Sequence, residues 1–275
     1  MMRGMFAAIS GLKTHQVMLD VTANDIANVN TIGYKSARTT FADSLSQLQR
    51  GASGATGANA GSNAAQVGLG TQLGSIDNLM QGGALQSTGN PFDVAVQGEG
   101  FFRVGLTTNP ATAPANVEYT RAGNFTRNRD GYLVTQDGYY VVGRNAAGAD
   151  VTINIPPDAS GVAIAKDGAV SYIPADGSPR TIAAYISIAS FPNAAGLERS
   201  SSNRWIASAN SGAATVNTPG NNGAGTTTAG AIEMSNVDLA QTFTSMITAQ
   251  RGFQANSRVI STSDEMLQDL VNLKR

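Results

Sequence analysis

The chain has 275 residues, a formal net charge of −1, a single histidine and no cysteine. Charged residues make up 13% of it, against roughly 25% in an average globular domain. These numbers exclude disulfides, thiolate catalysis and a cysteine- or histidine-built metal cluster, and they leave no basic stripe to neutralise nucleic-acid phosphates.

The first residues, Met1-Met2-Arg3 followed by GMFAAISGL, have the outline of a signal peptide. Their apolar part is only about nine residues long, and no small-residue cleavage site follows it. Lys13, His15 and Asp20 come next, so the segment reads as a structural helix. No apolar run approaches the 18 or so residues of a membrane span. Met2, Met5, Ile9, Leu12, Gln16, Leu19, Ala23 and Ile26 are spaced alternately three and four apart. This is a heptad seam with one polar interruption. The pattern ends near Asn28, where Asn30-Thr31-Ile32-Gly33 fits a type I turn. Asp20, Asn24 and Asn28 share one helical face. Uncharged amides offer both donors and acceptors, so this row either holds a neighbouring helix in register or forms a plain polar face.

Between Arg50 and Gln66 lies GASGATGANAGSNAA, a low-complexity tract that reads as a flexible linker. From Pro91 onward the signals are those of strands. Asp93–Val96 and Gly100–Val104 are short β runs, and Tyr132–Thr135 and Tyr139–Val142 flank the hairpin turn Asp137-Gly138. Asp130-Gly131, Asp167-Gly168 and Asp176-Gly177 continue the series, and 151–155 and 184–189 alternate. Turns this frequent predict an antiparallel β domain. A second Gly/Thr/Asn-rich tract, Asn217–Gly230, leads into a C-terminal helix.

That helix is expected to start at Ser235-Asn236-Val237-Asp238, a capping-box-like sequence. Its seam is Leu239, Phe243, Met246, Gln250, Phe253, Ser257, Ile260, Asp264, Leu267 and Val271, with a second stripe at Met266, Leu270 and Leu273. Helices at both ends, each with a heptad seam, predict that the two pair; either alone is marginal in water. The second stripe then needs a cover, either the protein's own central domain or other copies of the chain. The expected architecture is α+β: terminal helices paired as a coiled coil, with a central antiparallel β domain between flexible linkers. Residues 1–30 and 236–275 form the helical part, 31–90 and 211–235 the extended linkers, and 91–210 the β domain.

No arrangement of residues suggests catalysis or a cofactor. Gly98-Glu99-Gly100 lacks the rest of a dinucleotide fingerprint and reads as a tight turn or bulge. His15 with Ser10 and Asp20 would not converge on one helix. The Asp-Gly pairs lack calcium-loop spacing. Tyr139, Tyr140 and Trp205 form either a sugar-binding platform or core packing, and Arg121, Arg127, Arg129 and Arg144 read as solvated or intersubunit charges.

The segment ISGLKTHQVMLDVTANDIANVNTIGYKSARTTF resembles the N-terminal region of bacterial flagellar rod and hook proteins. The shared signature falls on Asn24, Ala27, Asn28, Asn30, Thr31, Gly33, Tyr34 and Lys35. SNVDLAQTFTSMITAQRGFQANSRVISTSDEMLQDLVNLKR resembles the family's terminal helix. DVAVQGEGFFRV and YTRAGNFTRNRDGYLVTQDGYYVVG resemble its β segments. AQVGLGTQLGSID and the ending DEMLQDLVNLKR are most similar to the short type of hook protein.

The resemblance implies a non-enzymatic structural subunit of the flagellar hook, a flexible helical tube carrying torque from rod to filament. The alternative is a subunit of the distal rod, with the Gly/Ala-rich tract at 51–65 as a stiffening segment. A secreted carbohydrate-binding β protein is the reading from a different class. The resemblance further implies export by the flagellar type III apparatus without a cleaved signal. The implied partners are copies of the chain and other axial proteins: rod, hook–filament junction and hook cap. The subunit-packing residues are then Ile9, Leu12, Leu19, Asn24, Ile26, Asn28, Asn30 and Gly33, with Leu239, Phe243, Met246, Ile247, Phe253, Ile260 and Leu267.

Overall fold

The computed structural model describes residues 2–55, 60–110 and 112–273. The chain divides into two compact units. One comprises 1–27, 37–78 and 238–275; the other comprises 28–36 and 79–237.

The first unit holds the two long helices, α1 (Met2–Ala27) and α2 (Leu239–Asn272). At 1.5 Å per residue α2 is about 51 Å long. It begins four residues later than Ser235, because Asp238 is the residue that caps it. The Asp238 carboxylate accepts hydrogen bonds from the Ala240 and Gln241 amides at 2.9 and 3.2 Å. No described helix is long and apolar enough to cross a membrane.

The helices pack against each other, and two crosswise contacts fix their direction as antiparallel. A Cβ on Gly11 of α1 would lie 2.7 Å from the Asn256 side chain, and a Cβ on Gly252 of α2 would lie 2.5 Å from the His15 ring. Each glycine thus receives the bulky side chain that stands one turn along on the opposite helix. The most buried residues on the helices include Ala8, Thr14, Thr22 and Asp25 on α1 and Ala249 and Ser263 on α2, with no large apolar side chain among them. The buried hydroxyls are satisfied within their own helices. Thr22 donates to Met18 O and Ser263 to Val259 O, at 2.6 and 2.7 Å, so they add no unpaired polar group to the contact. The large residues of the expected α2 seam are not its centre. That seam is displaced by one position, to Ala249, Asn256 and Ser263 in place of Gln250, Ser257 and Asp264.

Residues 37–78, expected to lie in a linker, form an antiparallel arm. Ala37–Asp43 pairs with Thr71–Asn78, and Ser46–Arg50 pairs with Ala65–Gly68. The ladder continues to Ser53 and Ser62, whose amides and carbonyls exchange bonds of 2.9 and 3.0 Å. Residues 56–59 of the low-complexity tract lie outside the described residues. The arm packs on α1. Ser10 Oγ accepts from the Thr71 amide at 3.2 Å, and His15 meets Phe41 edge-on at 5.6 Å.

The second unit is antiparallel β throughout. In its main sheet Phe101–Leu106 is central, flanked by Asn116–Thr120, Tyr140–Arg144 and Ile188–Ser190. All four Asp-Gly turns form: Gly131, Gly138, Gly168 and Gly177 have φ of 91, 82, 77 and 72°. The core is Val94, Val96, Phe102, Val104, Phe125, Leu133, Val141, Ile153, Ile155, Ile186 and Ile188, among others. A second cluster centres on Trp205, Phe101 and Leu197. Trp205 is 1% exposed, which removes the sugar-platform reading of that residue. The expected linker at 211–235 also holds paired strands: Thr226–Ala229 pairs with Val94–Gln97, and Ala231–Glu233 with Leu85–Ser87.

Candidate assembly interface

The signature turn is built into the second unit. After α1 the chain makes two successive turns, with Thr31 N bonded to Asn28 O (3.1 Å) and Tyr34 N to Thr31 O (3.3 Å). Gly33 is the third residue of the later turn, at φ 67°, and not the last residue of a turn at 30–33. A Cβ there would lie 2.6 Å from the Ala122 backbone nitrogen and 2.7 Å from Arg121 C. Both conformation and space therefore require glycine, and Gly33 packs inside its own chain. Asn28 Oδ1 accepts from Thr31 Oγ1 at 3.0 Å, which supports the same turn.

The next two residues are buried anchors. Arg199 stacks over the Tyr34 ring at 4.8 Å and over Trp205 at 5.1 Å, and it donates to the Tyr34 hydroxyl. Lys35, 0% exposed, donates from Nζ to Glu233 Oε1 at 2.6 Å and to Gln81 O at 2.7 Å. Glu233 Oε1 also accepts from the Gly83 amide at 2.9 Å, and Oε2 from Arg121 at 3.2 Å. Arg121 donates to Gly98 O and Val96 O as well. It is 3% exposed, so it is neither a solvated nor an intersubunit charge. Burial is the largest influence on Lys35 and pushes its ammonium below the usual lysine range. Glu233 opposes this through its charge and hydrogen bond, and Arg121 reinforces it. Burial likewise lowers Arg121, against the pull of Glu233. One carboxylate thus serves two buried cations. Sequence reasoning missed this cluster because Lys35, Arg121 and Glu233 are separated by up to 198 residues; the signature singles out Lys35, but nothing in it points to its two partners.

Beside the turn is a cleft of about 500 Å³ lined by Asn30, Asn124, Gln136, Ser202 and Asn203, among others. Its charged groups are engaged: Arg204 bonds Asp137 at 2.7 Å, and Arg199 bonds Tyr34.

The first unit carries apolar faces that the chain itself leaves open. Leu239, Phe243 and Ile247 follow one another at i, i+4 and i+8 along α2 and are 42, 49 and 50% exposed. Val259, Met266, Leu270 and Leu273 are also open, on a different side of the helix. Met246, Phe253, Ile260 and Leu267 are half-buried, as are Leu12, Leu19 and Ile26 on α1. Ile9 is at the edge of exposure, and Asn24 and Asn30 are exposed. The arm shows Leu45, Leu48 and Ile76 at 79, 55 and 45%. The expected packing residues therefore fall into two sets: an intrachain set centred on the helix contact and an outward set on α2.

Comparison with known proteins supplies the context. Residues 5–35 match the flagella basal body rod protein family. Residues 95–172 match the flagellar hook protein FlgE/F/G D1 domain, and 228–273 the flagellar basal body rod FlgEFG protein C-terminal family. The chain is 48% identical over 276 aligned positions to the flagellar basal-body rod protein FlgG of Bacillus subtilis, covering 100% of both chains. The chain belongs to the flagellar rod and hook protein family. A second flagellar basal-body rod protein FlgG, from Caulobacter vibrioides, is 37% identical over 99% of this chain and 100% of its own length. The flagellar hook protein FlgE of Borreliella burgdorferi is 26% identical, and its full alignment stretches over 449 positions. As a rod and hook family member the chain is a structural component of the bacterial flagellum. The three family matches fall on α1 with its turn, on the main sheet, and on the last strands with α2.

Proposed function

We propose that the chain is a subunit of the distal rod of the flagellar basal body, a stiff drive shaft built from copies of itself. This replaces the hook as the favoured reading. The observation that carries it is the end-to-end match to proteins named as rod components, at 48 and 37% identity with almost no length difference. The hook relative aligns only across 449 positions against this chain's 275. A second observation agrees. The tract at 51–65, read from sequence as a flexible linker, continues a paired ribbon as far as Ser53 and Ser62. A two-stranded ribbon resists bending better than a Gly/Ala/Ser coil.

In this reading α1 and α2 form a coiled coil whose outward stripe is covered by other copies, and the exposed row at Asn24 contributes register. Export through the flagellar type III apparatus and contacts with neighbouring axial proteins complete the proposal. The test is electron microscopy of the purified protein under polymerising conditions, with complementation of cells lacking their own distal rod subunit. Straight tubes and restored swimming are expected. Curved tubes would return the assignment to the hook, and no tubes with no rescue would remove it from the axial structure.

A further inference from the structure

The chain crosses between the two units at four places, and three of them lie next to one another in the bonding of the second unit: after Ser36, before Leu79 and after Val237. A side chain on the third of these segments bonds to the other two. Asn236 Oδ1 accepts from the Ser36 amide at 2.8 Å, while Nδ2 donates to Leu79 O at 2.8 Å and to Gln81 O at 3.2 Å. The backbone adds Leu79 N to Ser36 O at 2.8 Å and Asn236 N to Tyr34 O at 3.4 Å. Three residues earlier, Glu233 bonds the same two segments: its carbonyl accepts from Gly33 N, and its carboxylate from Lys35 and Gly83.

We propose that Asn236 is a positioning residue that gathers the three exits into one clasp, so that a twisting load enters the β unit through three bonded segments acting together. The chemistry fits only an asparagine of this length. The site needs one acceptor and two donors from one planar group, which a carboxamide supplies and a carboxylate cannot. A bare covalent crossing is a single chain with two soft dihedrals per residue and transmits little torque. Three crossings held in register share the load and cannot rotate independently. The use of the clasp under load rests on the rod reading; its existence does not.

The experiment compares the full chain with Asn236→Ala and Asn236→Asp. In purified protein, amide exchange at Ser36 is expected to speed up roughly tenfold in Asn236→Ala, the scale of one lost hydrogen bond, with Val104 and Val141 in the core sheet unchanged. Asn236→Asp keeps the acceptor for Ser36 but loses both donors; it should protect Ser36 while loosening Leu79. In cells carrying each chain as their rod subunit, both variants should still swim in dilute medium and slow disproportionately as viscosity rises. Unchanged Ser36 exchange in Asn236→Ala overturns the clasp. Faster exchange with an unaltered viscosity response overturns its mechanical role. Failure of the unaltered chain to restore swimming counts against the rod reading instead, and the exchange result then stands for the clasp alone.

Discussion

Glu233 is 1% exposed and holds two cations, Lys35 at 2.6 Å and Arg121 at 3.2 Å. Removing a partner from such a cluster is asymmetric. Glu233→Gln leaves Lys35 without its carboxylate partner and Arg121 with only the weaker influence of Glu99, and breaking a buried pair in this way costs about 3–5 kcal/mol. Lys35→Met leaves Glu233 with Arg121 and the Gly83 amide, and it removes a cation whose burial is unfavourable. It is expected to cost much less, about 1–2 kcal/mol, for the lost bonds to Glu233 and to the Gln81 carbonyl, which keeps its bond from Asn236. Urea denaturation of the two variants, followed by Trp205 fluorescence, would test the order; equal losses would show that the cluster is not charge-limited. Lys35 also has a pH signature. Its folded pKa lies below the ordinary lysine value of 10.5, so the folded state gives up its proton first. The cost of burying the ammonium is therefore present at neutral pH and declines as pH rises from the lowered pKa toward 10.5. Asp150 has the opposite sign. Arg103, bonded to it at 2.7 Å, holds its carboxyl below 3.8, against a smaller opposing effect of burial. Its contribution is present above 3.8 and lost as pH falls through the folded value. Asp150→Asn should therefore flatten the acid limb of the stability curve below pH 3.8 and leave the limb above it parallel to the unaltered chain, as read by denaturation midpoints from about pH 2 to about 7.

The helix pair shows where the sequence could be read and where it could not. The existence of both helices, their pairing and the Asp-Gly hairpins follow from spacing and turn chemistry. The identity of the seam follows only in part: counting apolar residues finds Met246, Phe253, Ile260 and Leu267, which are half-buried, but also Leu239 and Phe243, which are largely open. The contact between α1 and α2 also uses small residues and the Gly11–Asn256 and Gly252–His15 exchanges, which carry no hydropathy signal. The arm was invisible for a related reason: its strands are half-exposed or exposed and lack a buried alternating face. The buried trio and Asn236 depend on pairings across the whole chain that periodicity cannot report. The glycines provide a test at this scale. A Cβ on Gly4 would have nothing within 4 Å of it, so Gly4→Ala should stabilise by about 0.5–1 kcal/mol through helix propensity alone. Gly252→Ala gains the same propensity but meets the His15 ring at 2.5 Å, and that ring is backed by Phe41. Overpacking of this kind costs about 1–3 kcal/mol, so the net effect should be destabilising. Thermal unfolding by helical circular dichroism would compare the two, and a stabilising Gly252→Ala would mean that the His15 ring moves aside freely.

At the scale of the whole molecule, the apolar pattern that identified the internal seam only in part has a use of its own. A chain this poor in charge stays monomeric only if its exposed apolar stripe is short or covered, since large open patches mark interaction sites. Leu239, Phe243 and Ile247 are each about half exposed, so full burial would gain each roughly 1 kcal/mol, about half the value for a wholly exposed side chain. Replacing Phe243 and Ile247 together with serine should then remove about 2 kcal/mol per subunit added to a polymer, which raises the critical concentration roughly 30-fold. The same double variant should leave the monomer's unfolding midpoint nearly unchanged, because neither side chain is central to the α1–α2 contact. Sedimentation of polymer against protein concentration, with urea denaturation of the soluble fraction, separates the two effects. An unaltered critical concentration would show that the stripe is covered within the chain or not at all, whereas a large fall in monomer stability would place it in the fold and not in the assembly.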